Sequence, residues 1–77
     1  MKVIIYTTQY CHWCALAKEF FKENKVKYTE VDVGSNKKGA QEMIKKSGQM
    51  GVPVIDIDGK IIIGFDEAEL RKTLKLK

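Results

Sequence analysis

Two strand-like runs separated by one helical stripe constrain this chain more than any other feature. Val3 to Tyr6 is an unbroken run of β-branched and aromatic residues, suited to a strand covered on both faces. From about His12 to Asn24 the pattern is helical. Leu16 and Phe20 lie on one stripe, with Ala17 and Phe21 beside it at the same spacing, and Asn24 is placed to close the helix in a left-handed turn. Val26 to Val33 then alternates, Val31 and Val33 pointing one way and Glu30 and Asp32 the other. Strand, helix and strand in succession imply a parallel pair with a right-handed crossover.

The second half has a different grammar. Gly34-Ser35-Asn36 is a turn that offers helix N-caps. Ala40, Met43 and Ile44 form the apolar stripe of a second helix, which Gly48 stops. A loop, Gln49-Met50-Gly51-Val52, leads into Pro53, the only proline. Val54 to Ile57 and Lys60 to Ile63 flank Asp58-Gly59, the signature of a two-residue hairpin whose turn residues both need positive φ. Asp66 with Glu69 forms an Asp version of the capping box, and Leu70 and Leu74 give a terminal helix its core stripe. The expected fold class is α/β: the order β-α-β-α-β-β-α in one domain spanning residues 1–77, with a four-stranded mixed sheet flanked by three helices.

Composition narrows the function. With 77 residues, 44% apolar and 31% charged, the chain reads as one small globular domain. Such a domain buries roughly 60–65% of its unfolded surface, so its core is thin. The run Ile61-Ile62-Ile63 is far too short to span a bilayer. Met1 to Tyr6 enters a strand with no cleavage site behind it, so neither export nor membrane insertion is expected, and the expected compartment is the cytoplasm. The net charge of +4 comes from lysines spread over helix exteriors and the tail, Lys72, Lys75 and Lys77. Nucleic-acid binders concentrate Lys and Arg on one face and interleave aromatics, so a solvated surface is the better reading, with no nucleic-acid partner.

The chemistry is expected at Cys11-His12-Trp13-Cys14, where the first strand hands over to the first helix. A disulfide across so short a loop removes little unfolded-state entropy, which makes it a poor structural staple. In a reducing compartment a lone C-x-x-C is catalytic or metal-binding. The three-residue spacing puts both sulfurs on one side of a helical turn, within disulfide reach. The helix N-terminus offers unpaired N–H groups and a positive dipole end, which favour thiolate over thiol. That dipole contributes about 0.3–2 kcal/mol, against about 1.36 kcal/mol for one pKa unit. Cys11, at the mouth, is the expected nucleophile and Cys14 the resolving thiol. A closed zinc site needs four protein ligands. Two cysteines and His12 do not make one within a single chain, because His12 points away from the pair. His12 takes a modest electrostatic role and Trp13 a substrate contact, while Tyr10 is left unassigned. Pro53 by itself reads as a strand start.

Three motifs together resemble the glutaredoxin family, within the thioredoxin fold. They are Tyr6-Thr7-Thr8-Gln9-Tyr10-Cys11-His12-Trp13-Cys14, then Gly51-Val52-Pro53-Val54, then Ile63-Gly64-Phe65-Asp66, in family-like order and separation. The resemblance implies a cis Pro53 facing Cys11 and a Val52 backbone that pairs with the substrate like an added strand. It also implies that Gly64, Phe65 and Asp66 line the far side of the groove and receive the amino-terminal end of glutathione.

Departures are equally specific. His12 stands where the family usually has proline, Trp13 where tyrosine is frequent and Ile63 where glycine is common. Thr8 and Met50 occupy positions where glutathione-using members carry bases that grip carboxylates. These changes resemble redoxins that serve ribonucleotide reductase and draw on thioredoxin reductase, without that branch's residues near Gly64-Phe65. The expected function is a glutathione- or thioredoxin-reductase-dependent dithiol–disulfide oxidoreductase and electron carrier acting on disulfide-containing proteins. It is expected to be a monomer with no bound cofactor or metal and glutathione as co-substrate. The alternative is an iron–sulfur cluster-binding dimer held through Cys11.

Overall fold

The computed structural model describes residues 1–76, so Lys77 of the basic tail lies outside the described residues. β1 (Val3–Thr7), α1 (His12–Glu23), β2 (Thr29–Asp32), α2 (Lys37–Ser47), β3 (Val54–Ile57), β4 (Lys60–Ile63) and α3 (Glu67–Leu74) follow in the expected order. The strands form one sheet, β2-β1-β3-β4. β1 and β2 are parallel, with Ile5 opposite Glu30, and the β1–β3 and β3–β4 pairs are antiparallel. This is the thioredoxin fold.

β1 lies inside the sheet, and its alternation decides which helix packs where. Val3 and Ile5, with Ile55, Ile57 and Ile62, join Ala17 and Phe21 of α1 and Leu70 of α3 in the larger core cluster. Tyr6 and Val54 face the other way, against Met43 of α2, with Val31, Val33 and Ile61 around them. A Cβ on Gly39 would come within 2.5 Å of Val31 Cγ1, so α2 can approach the sheet this closely only with glycine there.

Three local expectations are corrected. β1 runs one residue beyond the apolar run from Val3 to Tyr6, because Thr7 pairs with Asp32. β2 is shorter than the run from Val26 suggests. Val26 is taken up by the end of α1, where its N–H donates to the Phe21 carbonyl at 2.8 Å, and with Tyr28 it packs on the larger core. The left-handed residue closing α1 is Lys25 (φ 55°), not Asn24 (φ −98°). The Asn24 backbone N–H and Nδ2 both donate to the Phe20 carbonyl, at 3.1 and 2.9 Å, which holds Asn24 near the helix. The reversal therefore moves one residue on. Lys25 N–H then returns to the Lys22 carbonyl, which with the Val26 bond completes a Schellman ending. The hairpin forms as the Asp-Gly turn requires, with φ of 49° at Asp58 and 94° at Gly59.

The α2 face carries a polar network that a reading of Val54 to Ile57 as an apolar run does not anticipate. Asp56, in the middle of β3, is only 9% exposed. Lys46 Nζ donates to Asp56 Oδ2 and to the Tyr6 hydroxyl, both at 2.7 Å, and Gly59 N–H donates to Asp56 Oδ1 at 2.8 Å. Burial works against the charge on Lys46, but the bonds to Asp56 and Tyr6 outweigh it and push its pKa up to about 12. Burial likewise raises the Asp56 carboxyl, and Lys46 and Gly59 overcome it and hold that group below its ordinary value.

Candidate active site

The loop after β1 delivers Cys11 as the N-cap of α1. Its backbone is extended (φ −132°, ψ 107°), and its carbonyl accepts the Ala15 N–H at 3.1 Å. Its sulfur does the work of a cap oxygen, accepting the Cys14 N–H at 3.1 Å. Cys11 and Cys14 are joined in a disulfide with Cα atoms 5.2 Å apart. Cys11 is partly exposed, whereas Cys14, one turn in, is 1% exposed. The first turn of α1 contains no acidic residue that would offset its positive end.

Around the sulfurs the surface is aromatic. Trp13 is 57% exposed and Tyr10 92%. The His12 ring meets Trp13 edge-on, with centroids 5.6 Å apart. Met50 and Ile63 are also exposed apolar side chains.

The second and third motifs are joined to each other. The Val52–Pro53 peptide is cis, Pro53 is buried and Val52 half-buried. Gly64 has φ 81° and donates its N–H to the Pro53 carbonyl at 2.8 Å. The end of β4 is thereby tied to the loop before β3. Phe65 turns its ring onto Phe20, edge-to-face at 5.9 Å, at the margin of the larger core. Asp66 is the N-cap of α3, its Oδ1 accepting the Glu69 N–H at 3.1 Å.

One polar cluster that no sequence motif marks as a whole lies at the end of β1, where the chain enters the loop to Cys11. Thr7, 1% exposed at the end of β1, donates its hydroxyl to Glu30 Oε2 at 2.8 Å. Lys18, one turn after Cys14, meets the same oxygen at 3.0 Å. The Thr7 bond first, and Lys18 next, hold the Glu30 carboxyl below its usual value. A hydroxyl directly after an apolar strand run is the signal for it, since a buried hydroxyl needs an acceptor.

A helix-capping C-x-x-C on a thioredoxin-type sheet defines a class, the thiol–disulfide oxidoreductases. Comparison with known proteins narrows it. The family model Glutaredoxin matches residues 3–62. A glutaredoxin-like 8.6 kDa protein of Clostridium pasteurianum, encoded in a rubredoxin operon, is 44% identical over 92% of this chain and 95% of its own. Glutaredoxin 3 of Escherichia coli is 38% identical over 84% of this chain and 78% of its own. Among solved structures, the thioredoxin-like protein BC3987 superposes with a TM-score of 0.89 at 30% identity, covering 94% of this chain and 99% of that one. The chain belongs to the glutaredoxin family and is a thiol–disulfide oxidoreductase. Among the described residues no helix is long and apolar enough to cross a membrane.

Proposed function

We propose that this protein reduces protein disulfides and mixed disulfides by a dithiol cycle in which Cys11 attacks and Cys14 resolves. The observation that carries the reading is the unequal placement of the two sulfurs. Cys11 is partly exposed and capped by a backbone N–H, while Cys14 is closed off from solvent. In the reduced protein the Cys11 thiolate keeps the Cys14 N–H and the positive helix end, both of which favour the anion. It attacks one sulfur of the substrate disulfide and expels the other as a thiolate. The resulting mixed disulfide lies within reach of Cys14, which as thiolate attacks the Cys11 sulfur and expels the second substrate thiol. Two electrons pass to the substrate, and the Cys11–Cys14 disulfide described above is the product state.

In this reading Trp13 and the Val52 backbone hold the substrate chain, and Pro53, Gly64, Phe65 and Asp66 line the groove opposite. The exposure of Trp13 and the bond from Gly64 to Pro53 support that arrangement. The electron donor is glutathione, two molecules per cycle, or thioredoxin reductase with NADPH. Target proteins, ribonucleotide reductase among them, are met by a monomer in the reducing cytoplasm. Supplying the oxidised protein in parallel with each donor system, and following NADPH loss, tests the cycle and identifies the donor. Failure of both systems to turn over a protein disulfide sinks the reading. Visible absorption in the protein as purified would point instead to a cluster held by Cys11.

A further inference from the structure

We propose that the groove between α1 and α3 docks a basic, extended segment of the protein whose disulfide is being reduced, an inference that rests on the dithiol reading above. The groove encloses about 360 Å³. Leu16, Phe20 and Phe65 are its apolar lining residues. Its rim is acidic, with Glu19 and Glu23 on α1 and Glu67 on α3. The chain as a whole is cationic at +4. Yet Glu19 and Glu23 have no ion-pair partner among the described residues, while Glu30, Glu42, Asp56, Glu67 and Glu69 each do. Two carboxylates four residues apart on one helix repel each other, and a cation placed between them relieves that repulsion.

The groove already displays the mode of recognition in miniature. The guanidinium of Arg71 lies over the Phe20 ring, 5.1 Å from its centroid, and Nε donates to Glu67 Oε2 at 2.9 Å. An incoming Lys or Arg finds the same combination at Glu19 and Glu23: an apolar wall for its stem and carboxylates for its head. The groove's lining residues also adjoin residues of the proposed substrate path in sequence. Phe65 stands between Gly64 and Asp66, and Leu16 lies just beyond Cys14 on α1. Glu19 and Glu23 lie eight and twelve residues along from Cys11, or roughly 12 and 18 Å at about 1.5 Å per helical residue. An extended substrate chain at about 3.3 Å per residue covers that span in roughly four or five residues. The preferred substrate therefore carries Lys or Arg about four or five positions from its reactive cysteine.

The test uses the pre-reduced, full-length protein in single turnovers, so that no electron donor enters. The probes are synthetic peptides with one cysteine in a mixed disulfide with β-mercaptoethanol. They carry Lys-Lys, Gln-Gln or Glu-Glu at positions four and five from the cysteine, and each is made with the pair on either side. The Lys-Lys peptide is expected to react about three- to tenfold faster than the Gln-Gln peptide at low salt, with the ratio shrinking toward one as salt screens the rim. Glu19→Gln combined with Glu23→Gln is expected to bring the ratio near one, and Glu19→Lys with Glu23→Lys to reverse it in favour of Glu-Glu. Because the readout is a ratio, a general change in activity cancels. A wild-type ratio near one, or a ratio that survives the Gln pair, overturns the proposal. So does sedimentation showing a dimer that the Gln pair dissociates, since a second copy would then fill the groove. If no peptide is reduced at all, the dithiol reading itself has failed.

Discussion

Helices α1 and α2 pack on opposite faces of one sheet and begin alike. Each has an extended N-cap residue whose side chain accepts the N–H three residues on, Cys11 from Cys14 at 3.1 Å and Asn36 from Gly39 at 2.9 Å. Neither has an acidic residue in its first turn. The difference lies in the accepting atom and in what anchors the helix. The amide of Asn36 is neutral at every pH, so that cap is structural. The sulfur of Cys11 is a weak acceptor in a thiol or disulfide and a strong one as thiolate, so this cap strengthens when the protein is reduced. Cys14, Ala17, Phe20 and Phe21 bury α1 through apolar contact. The buried residues of α2 are only Gly39 and Met43, and an ion pair supplements them. The face that does chemistry is thus held mainly by apolar contact, with the more exposed Lys18–Glu30 pair beside it, and the more buried charged anchor, Lys46–Asp56, sits on the other face.

The largest expected effect is at the chemical cap. Cys11→Ser replaces a sulfur cap with an oxygen cap of similar reach. It is expected to lower disulfide reduction by at least about a thousandfold, in line with removal of a nucleophile. Serine is a favoured cap, so stability of the reduced protein is expected to change by less than about 1 kcal/mol. Turnover with a protein disulfide and urea unfolding, measured on the same sample, check both halves. A variant that loses activity because it unfolds would break the contrast between chemical and structural caps.

Next comes the anchor of α2. Lys46→Met leaves the Asp56 carboxylate mostly buried with the Gly59 N–H as its one remaining hydrogen bond among the described residues, and is expected to cost about 2–3 kcal/mol in urea unfolding. Its pH dependence has a definite sign. The Lys46 pKa rises from 10.5 to about 12, so its contribution is complete below about 10.5 and lost as pH climbs through about 12. The Asp56 carboxyl lies below its ordinary 3.8, so its contribution is present above 3.8 and lost as pH falls through the lower folded value. Wild-type stability minus that of Lys46→Met should therefore form a plateau with a fall at each end. A difference that stays flat across both windows would show that the pair is not what anchors α2.

How far the sequence reveals these features depends on whether the signal is local. The hairpin is visible because Asp58-Gly59 allows few other backbones, and α1 because its stripe repeats over three turns. The cysteine pair is visible because spacing alone puts the sulfurs together. The bond from Gly64 to Pro53 and the network of Lys46, Asp56 and Tyr6 join residues far apart in the chain, and no local pattern carries them. Asp56 could still have raised the question, since a carboxylate within a buried strand needs a partner. The left-handed residue after α1 comes one position beyond Asn24 because Asn24 satisfies the Phe20 carbonyl instead of turning. The Phe65 ring packs on Phe20, a contact that only the assembled helices create.

A smaller effect is expected at the structural cap. Asn36→Ala removes the acceptor for the Gly39 N–H and should cost about 1 kcal/mol. Because α2 carries no cysteine, the rate of disulfide reduction per folded molecule should not change. Activity corrected for the folded fraction is the measurement. A fall beyond that correction would mean that the two faces are coupled and the division drawn above is too sharp.

The smallest effect concerns how the two helices end. α2 closes with Gly48 in the left-handed region at φ 72°, where glycine has no steric penalty, while α1 closes with Lys25 at φ 55°. A non-glycine residue held there costs about 1–3 kcal/mol. Glycine removes that cost but gives the unfolded chain more freedom, worth roughly 0.5–1 kcal/mol. Lys25→Gly is therefore expected to stabilise by about 0.5 kcal/mol, a small rise in the urea midpoint at unchanged slope. The Lys22 and Phe21 carbonyls keep their bonds, since both donors are backbone N–H groups. If Lys25→Gly instead destabilises the protein, the Lys25 side chain contributes more in place than its backbone strain costs, and the ends of the two helices differ in kind rather than in a single Cβ.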